Sequence, residues 1–171
     1  MDIPTLNDEI SRKFIKIERD IAACGSPVDL CEALIEAIER QFAVPFVWLT
    51  LLQAPEAAEL RKALESSDEL RDRLNVLSPA AFREIIPDLS TPVLAGGDLR
   101  PFFRLLPTRR KYFLRSLAVS PLTLRGRLIG SLNHGDAAPG RYQPGMDTTR
   151  LNHLAETVSD RLSALLSPLV P

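Results

Sequence analysis

The first 25 residues carry a narrow apolar stripe with a seven-residue period. Two registers, offset by four positions, repeat along the segment like the a and d positions of a coiled coil. The pattern predicts a helix that ends near Gly25, and its densely charged outer face favours packing against the same helix of a second chain. We predict a dimerisation helix over residues 1–25; the alternative is a helix that folds back on its own domain. The two registers are Ile3, Ile10, Ile17 and Cys24, and Asn7, Phe14, Ile21 and Val28.

The middle of the chain alternates between helical stripes and strand-like runs. Ser26 is a typical N-cap, so a second helix begins there. Phe46 to Leu52 is a continuous run of apolar, β-branched and aromatic residues, which predicts a buried central strand. Ala54 to Leu89 is predicted to be an insertion of short helices, because it has cap signals at Ser66 and Ser78 and short apolar stripes, one of them through Leu70, Leu74 and Leu77. A short strand at Thr91 to Ala95 and a proline-containing loop from Leu99 to Lys111 complete this region.

The last third has the clearest local pattern. Two apolar runs, Leu114 to Leu124 and Arg127 to His134, flank an Arg-Gly pair, which predicts a β-hairpin. The glycine of this pair can supply the positive φ that a two-residue turn needs. Gly130, inside the second run, indicates a bulge or the close approach of a helix. A closing amphipathic helix is predicted from Asp147 to Leu166.

Composition narrows the class of protein. The 171 residues are 45% hydrophobic and 25% charged, which is typical of one globular domain. A net charge of -1 provides no overall field for binding nucleic acid or membranes. The start MDIPTLNDEI is not a signal peptide, and no apolar run is long enough for a membrane span, so we predict a cytoplasmic protein. Cys24 and Cys31 are too few for a disulfide framework and are predicted to be reduced core thiols.

Motifs of the last third recur in one known fold. Their order is an apolar strand with Pro-Leu, a glycine turn, a second strand with Ile-Gly-Ser-Leu, a basic-aromatic pair and a closing helix. In this order they resemble the closing half of a GAF domain, and the fuller match resembles a proteobacterial GAF-related family of unknown function. The matching positions are Pro121, Leu122, Gly126, the run from Leu128 to Leu132, Arg141, Tyr142, Asp147 and the helix LNHLAETVSDRL.

The resemblance implies an α/β (α+β) fold. Its antiparallel sheet of five or six strands would carry the N- and C-terminal helices on one side. A helical lid formed by residues 54–111 would cover the other side and enclose a pocket. By this mapping, residues 26–171 form the GAF-like sensor domain that follows the N-terminal helix.

Charge segregation gives the candidate ligand site. The stretch from Leu99 to Gly135 contains eight basic residues and no acidic one, so it carries +8 and the rest of the chain carries −9. Arginine is the usual side chain for bidentate recognition of carboxylate or phosphate. An anionic small ligand is one reading, pairing with acidic side chains from Glu56 to Asp72 is a second, and a nucleic-acid or protein partner is a third. The candidate ligand-binding residues are Trp48, Phe102, Phe103, Arg104 and Arg115.

Catalytic motifs are lacking. No nucleophile elbow, phosphate loop, dinucleotide fingerprint or zinc-ligand spacing occurs, so we expect no catalytic residue, metal or cofactor. His134 is expected to be an exposed histidine at a strand end, and His153 a boundary residue of the last helix. Cys24 and Cys31 lie on the wrong elements for a GAF-related methionine sulfoxide reductase, which needs redox cysteines near the pocket. The cyclic-nucleotide motif of other GAF domains and a cysteine placed for bilin attachment are also missing.

The sequence therefore predicts a non-enzymatic regulatory or sensory domain. We expect it to act as a homodimer through the N-terminal helix and to bind a small anionic ligand under the 54–111 lid. The alternative is a ligand-free interaction or scaffold domain that binds another protein. Membrane binding is not expected, and the net acidity of the chain argues against nucleic acid.

Overall fold

Residues 3–107 and 113–166 are described in the computed structural model, and for residues 3–7 the backbone alone is described. Within these ranges the chain forms six α-helices, a 3-10 helix at Arg100–Phe102 and a five-stranded sheet. The helices are α1 (Ile3–Ala22), α2 (Pro27–Phe42), α3 (Pro55–Glu65), α4 (Asp68–Arg71), α5 (Pro79–Ile85) and α6 (Thr149–Leu165). The strands are β1 (Phe46–Leu52), β2 (Leu74–Leu77), β3 (Val93–Gly96), β4 (Ser116–Leu124) and β5 (Arg127–Asp136).

Serine caps begin three of the helices. The hydroxyl oxygens of Ser26 and Ser78 each accept a hydrogen bond from the backbone N–H three residues on, at 3.1 Å, and a proline follows each serine. These bonds satisfy N–H groups that have no partner inside the helix. For α4 the predicted cap was Ser66, and the observed cap is Ser67. The hydroxyl of Ser66 instead donates to a carbonyl at the end of α3.

The sheet has the order β2-β1-β5-β4-β3. The pairs β1·β5, β4·β5 and β3·β4 are antiparallel, as predicted, and the fold class is confirmed. One edge differs, because β2 runs parallel to β1 and pairs Leu74 with Leu49 and Leu77 with Leu52. The sequence pattern predicted that Leu74 and Leu77 lie on a helical stripe, whereas they belong to a strand. Parallel pairing needs a crossover connection, which α3 and α4 supply.

Glycines shape the hairpin as predicted. The turn between β4 and β5 has φ values of 50° at Arg125 and 83° at Gly126, which match a turn with positive φ at both central residues. The register of the hairpin shifts beside Leu122, which marks a bulge. Gly130, next to this shift, has φ 154°, and a Cβ atom there would overlap the carbonyl oxygen of Thr50. The predicted bulge is confirmed, whereas the segment that approaches Gly130 closely is strand β1 and not the predicted helix.

The main core lies on one face of the sheet, which we call the helical face. Side chains of α1, α2 and α6 cover it, including Leu34 of α2 and Val158 of α6. Helix α3 also packs there, through Leu60 and Leu64 against α2 and the sheet. The predicted lid over residues 54–111 is therefore wrong in its first part. Helices α3 and α4 pack against α2, and only the later part of this segment covers the opposite face.

Helix α1 packs on its own domain, against α2 and α6. Ile17 and Ile21 of the heptad stripe are fully buried there. This part of the stripe therefore packs within its own chain, which was the alternative to dimerisation. Ile15 lies outside the stripe and is 53% exposed. The side chains of Ile3 and Asn7, which begin the two registers, lie outside the described residues. Dimerisation through residues 1–25 stays a prediction.

Candidate ligand-binding face

Strand β1 presents alternate side chains to two separate cores. Val47, Leu49 and Leu51 face the helical face, whereas Trp48 and Leu52 point to the other side. We call this second side the cap face. Its buried apolar residues come from the sheet and from the segment between α5 and β4, which forms its cover. They are Phe46, Trp48, Leu52, Phe82, Ile86, Leu89, Leu99, Leu105, Leu106, Leu114, Leu117 and Val119.

Residues 99–107, which we call the cap loop, form the part of this cover next to Trp48. The loop is a series of tight turns, in which Phe102 N–H donates to the Leu99 carbonyl at 2.9 Å and Leu105 N–H donates to the Phe102 carbonyl at 2.8 Å. Leu99, Leu105 and Leu106 are buried in the apolar cluster of the cap face. The loop is therefore held to the sheet by side-chain burial, while these backbone hydrogen bonds close within it.

Two side chains of the sheet donate to one carbonyl of the cap loop. Trp48 is only 1% exposed, and its indole Nε1–H donates to the Leu105 carbonyl oxygen at 3.0 Å. The Asn75 side chain, on β2, donates through Nδ2 to the same oxygen at 3.0 Å and to the Arg104 carbonyl at 3.1 Å. Buried polar groups need such partners, because leaving them unpaired costs free energy.

Three polar side chains are completely buried on the cap face. Thr50, Ser131 and Asn133 each have 0% exposure. The Ser131 hydroxyl donates to Asn133 Oδ1 at 2.8 Å, and Asn133 Nδ2 donates to Thr50 Oγ1 at 2.9 Å. Asn133 thereby joins β5 to β1 through side chains as well as backbone. Sequence reasoning missed this network; its only signal was small polar residues inside otherwise apolar strands.

The predicted site residues separate into two groups. Trp48 is buried, and Phe102 and Phe103 are half-buried and pack against the apolar cluster of the cap face. Arg104 is exposed and pairs with Glu84 of α5 at 3.0 Å. Arg115 is exposed at the start of β4, where its Nη1 donates to the Leu114 carbonyl at 3.3 Å. The fold thus brings the three aromatic residues together and leaves both arginines at the surface.

Other arginines of the acid-free stretch also have partners. Arg100 pairs with Asp98 at 2.8 Å, and this pair lowers the pKa of the Asp98 carboxyl to about 2. Arg127 pairs with Glu56 at 3.5 Å, which is the one described contact of this set with the acidic segment from Glu56 to Asp72. Arg125 donates to backbone carbonyls at the end of α6. Arg109, Arg110 and Lys111 lie outside the described residues.

His134 contradicts its prediction, because it is 3% exposed rather than exposed at a strand end. Its neighbours across the strands are Val47 and Ala118, which places it on the helical side of the sheet. Its Nδ1 lies 3.4 Å from the Tyr142 hydroxyl, and the two rings meet edge to face. Burial, with a smaller effect from Arg141, lowers the pKa of His134 to about 4. The imidazole is therefore neutral at neutral pH.

The second histidine and the two thiols lie outside the cap face. His153 is exposed on α6, and its hydrogen bond with Glu18 of α1, at 2.7 Å, raises the pKa of the imidazole. Cys31 is buried in the core of the helical face, and burial raises the pKa of its thiol to about 12. Burial also raises the pKa of Cys24.

No cluster of three or more His, Cys, Asp or Glu side chains in residues 3–107 and 113–166 is arranged to hold a metal ion. None of the helices described combines the length and the apolar character needed to cross a membrane.

Comparisons with known proteins agree with this architecture. Residues 1–166 match the family model described as "Protein of unknown function, DUF484". The GAF domain of the Acinetobacter phosphoenolpyruvate-protein phosphotransferase is similar, with a TM-score of 0.60, 14% identity, and coverage of 96% of this chain and 95% of that one. Free methionine-R-sulfoxide reductase from Neisseria meningitidis, solved with its substrate, has a TM-score of 0.56, 17% identity and coverages of 89% and 87%. No curated protein matches the chain. At these identities the structural neighbours show the fold alone.

Proposed function

The chain belongs to the DUF484 family of proteins of unknown function, and we propose that it is a cytoplasmic regulatory domain of GAF-like fold that senses a small molecule at its cap face. The observation that carries the proposal is the make-up of this face. A wide apolar surface contains a fully buried polar network, Thr50, Ser131 and Asn133. Its cover is the short helix α5 and the cap loop. An apolar site with a few placed polar groups under a cover is typical of ligand pockets.

The expected ligand is small and anionic. Its apolar part would contact Trp48, Phe102 and Phe103, and its charged part would meet Arg104 and Arg115 at the rim. The Arg104–Glu84 pair is solvent-exposed, and exposed pairs of this kind contribute little to stability, so Arg104 can exchange its partner at low cost.

Native mass spectrometry and a thermal-shift screen of anionic metabolites test this proposal. We expect a bound small molecule, or a rise in melting temperature with one ligand class, and loss of that rise in the double variant Arg104→Ala/Arg115→Ala. Arg40→Ala, which removes an exposed ion pair with Glu36 on α2, is the matched control. A ligand-free mass together with no shift from any metabolite would contradict sensing.

A ligand-free interaction or scaffold domain is the second candidate. The observation in its favour is that Trp48 is already covered and its N–H already bonded by the chain itself. In that case the screen would give no shift, and a protein partner would bind the surface. Reductase chemistry is not proposed, because the buried Cys31 thiol has a raised pKa and lies on the opposite side of the sheet from the cap face.

Dimerisation through α1 is part of the proposal. The exposed Ile15 supports it, because it lies on a helix surface that is otherwise charged. Removing α1 would also remove Ile17 and Ile21 from the core, so a point variant is the better test. We expect Ile15→Glu to halve the mass measured by light scattering, while Lys16→Glu on the same helix leaves it unchanged. The same monomeric mass for wild type and Ile15→Glu would contradict the dimer.

A further inference from the structure

One backbone oxygen of the cap loop, the Leu105 carbonyl, is hydrogen-bonded within the candidate binding site. The Leu105 carbonyl accepts from Trp48 Nε1 and from Asn75 Nδ2, each at 3.0 Å. Both donors are neutral, and they come from adjacent strands. Two N–H groups that converge on one oxygen can equally bind a carboxylate or carbonyl oxygen of a ligand. The Leu105 side chain, which is 0% exposed, fills the apolar space beside them.

We propose that the cap loop occupies the place of the ligand, and that the ligand is a small molecule with a branched apolar body and a carboxylate or carbonyl oxygen. On binding, this oxygen replaces the Leu105 carbonyl at Trp48 and Asn75, and the cap loop moves outward as a unit, so that its Phe102, Phe103 and Arg104 cover the ligand from the outside. The inference rests on the proposed sensing function and names the chemistry that the site recognises. Displacement of the loop would be the signal that a partner reads.

A polar row on the sheet supports recognition rather than packing alone. Asn75 lies opposite Thr50 on β1, and Thr50 lies opposite Ser131 on β5, so polar side chains follow one another across three strands. Burying a polar group carries a desolvation cost, which a purely apolar packing surface would avoid. Beside the two donors, the row provides further polar groups for the head of a ligand.

The cap loop can leave as a unit. Its N–H groups at Phe102 and Leu105 bond to carbonyls inside the loop, so these bonds persist when the loop moves. Its contact with α5 through Arg104 and Glu84 is an exposed ion pair, which contributes little. The hydrogen bonds from Trp48 and Asn75, together with burial of the loop's leucines, are therefore the main restraints.

Trp48 is the single tryptophan of the chain, so its fluorescence reports on the restraint directly. We expect Asn75→Ala to increase acrylamide quenching of Trp48 several-fold in the folded protein, because the loop loses two hydrogen bonds to the sheet. Glu84→Gln, which loosens the same loop on its solvent side, is the matched control and should leave quenching unchanged. Equal quenching in Asn75→Ala and wild type, with native circular dichroism, would show that Asn75 does not hold the loop.

Ligand chemistry is tested with two probes that share a branched apolar tail. Isocaproate carries a carboxylate acceptor, and isoamylamine carries an ammonium donor. In Leu105→Ala, which opens space and keeps both donors, we expect isocaproate to change Trp48 emission saturably and isoamylamine to have no effect. Adding Asn75→Ala should weaken isocaproate about tenfold, the value of one hydrogen bond to a charged group. If Leu105→Ala fails to fold, the milder Leu105→Val, which also keeps both donors, replaces it as the background for both titrations.

The outcomes separate the two proposals. Equal binding of both probes, or no effect of Asn75→Ala on isocaproate affinity, would overturn acceptor recognition and leave small-molecule sensing in place. Binding of neither probe to a folded variant would count against both and favour the scaffold alternative.

Discussion

One buried side chain, His134, should cost this protein stability in mild acid. The imidazole is 3% exposed, packs against Tyr142, and has a pKa lowered from 6.5 to about 4, chiefly by burial. In the unfolded chain it regains the ordinary value. Between these two pKa values the unfolded state binds more protons than the folded state, so stability is complete above pH 6.5 and falls as the pH drops towards 4.

The size of the effect follows from the shift. Each pKa unit corresponds to about 1.4 kcal/mol, so full protonation of His134 would remove about 3 kcal/mol of the free energy of unfolding. This is a large share of the roughly 5–15 kcal/mol that a typical domain has. Most of this loss of stability should occur above the folded-state pKa of about 4, because the histidine of the unfolded chain is already protonated at those pH values.

The measurement is urea unfolding, followed by Trp48 fluorescence, at a series of pH values from neutral to mildly acidic. His134→Gln keeps a polar side chain but cannot be protonated, so its stability should fall less steeply with acid than that of the wild type. Imidazole NMR signals give a second readout, in which exposed His153, whose pKa is raised by Glu18, serves as the internal control. Parallel pH profiles for wild type and His134→Gln, or a His134 signal that titrates with that of His153, would refute the reasoning.

Three further predictions concern stability and reactivity. Gly130→Ala should lower the free energy of unfolding by more than about 2 kcal/mol, because the new Cβ overlaps the backbone of β1. Gly126→Ala, where the Cβ points into open space, should lower it by about 1 kcal/mol, and similar costs of the two variants in urea melts would contradict this account. Asn133→Ala should cost about 1–3 kcal/mol in the same assay, since it leaves two buried hydroxyl groups without their partner, and an unchanged midpoint would contradict the network. Cys24 should react with a thiol reagent before Cys31, which should react only when the protein unfolds. Equal reaction rates of the two thiols in the native protein would contradict the burial of Cys31.

Local chemistry made much of the fold predictable. The caps at Ser26 and Ser78, the continuous apolar strand β1 and the Arg-Gly hairpin depend on residues within a few positions of one another, and each is observed. Gly130 was predicted from its place inside a strand. By contrast, β2 is a strand because it pairs with β1, from which α3 and α4 separate it in the sequence. Nothing in residues 74–77 themselves indicates this pairing.

The candidate site was predictable only in its aromatic part. Trp48, Phe102 and Phe103 share the cap face, as their apolar bulk indicated. The roles of Asn75 and Asn133 were missed, because a polar residue in a strand has the same sequence signature at an exposed edge and in a buried network. Arg104 and Arg115 lie at the surface, since the charge pattern indicates electrostatics and gives no direction for a side chain.

The sequence by itself determined the helices that begin at Ser26 and Ser78, strand β1, the hairpin of β4 and β5, and the GAF-like order of the last elements. Only the tertiary structure decided which segment covers which face. It placed α3 on the helical face, buried His134 beside Tyr142, and set the Leu105 carbonyl against two donors of the sheet. The physical reason is that propensity and capping act over neighbouring residues, whereas burial, pKa and hydrogen-bond partners depend on segments far apart in the chain.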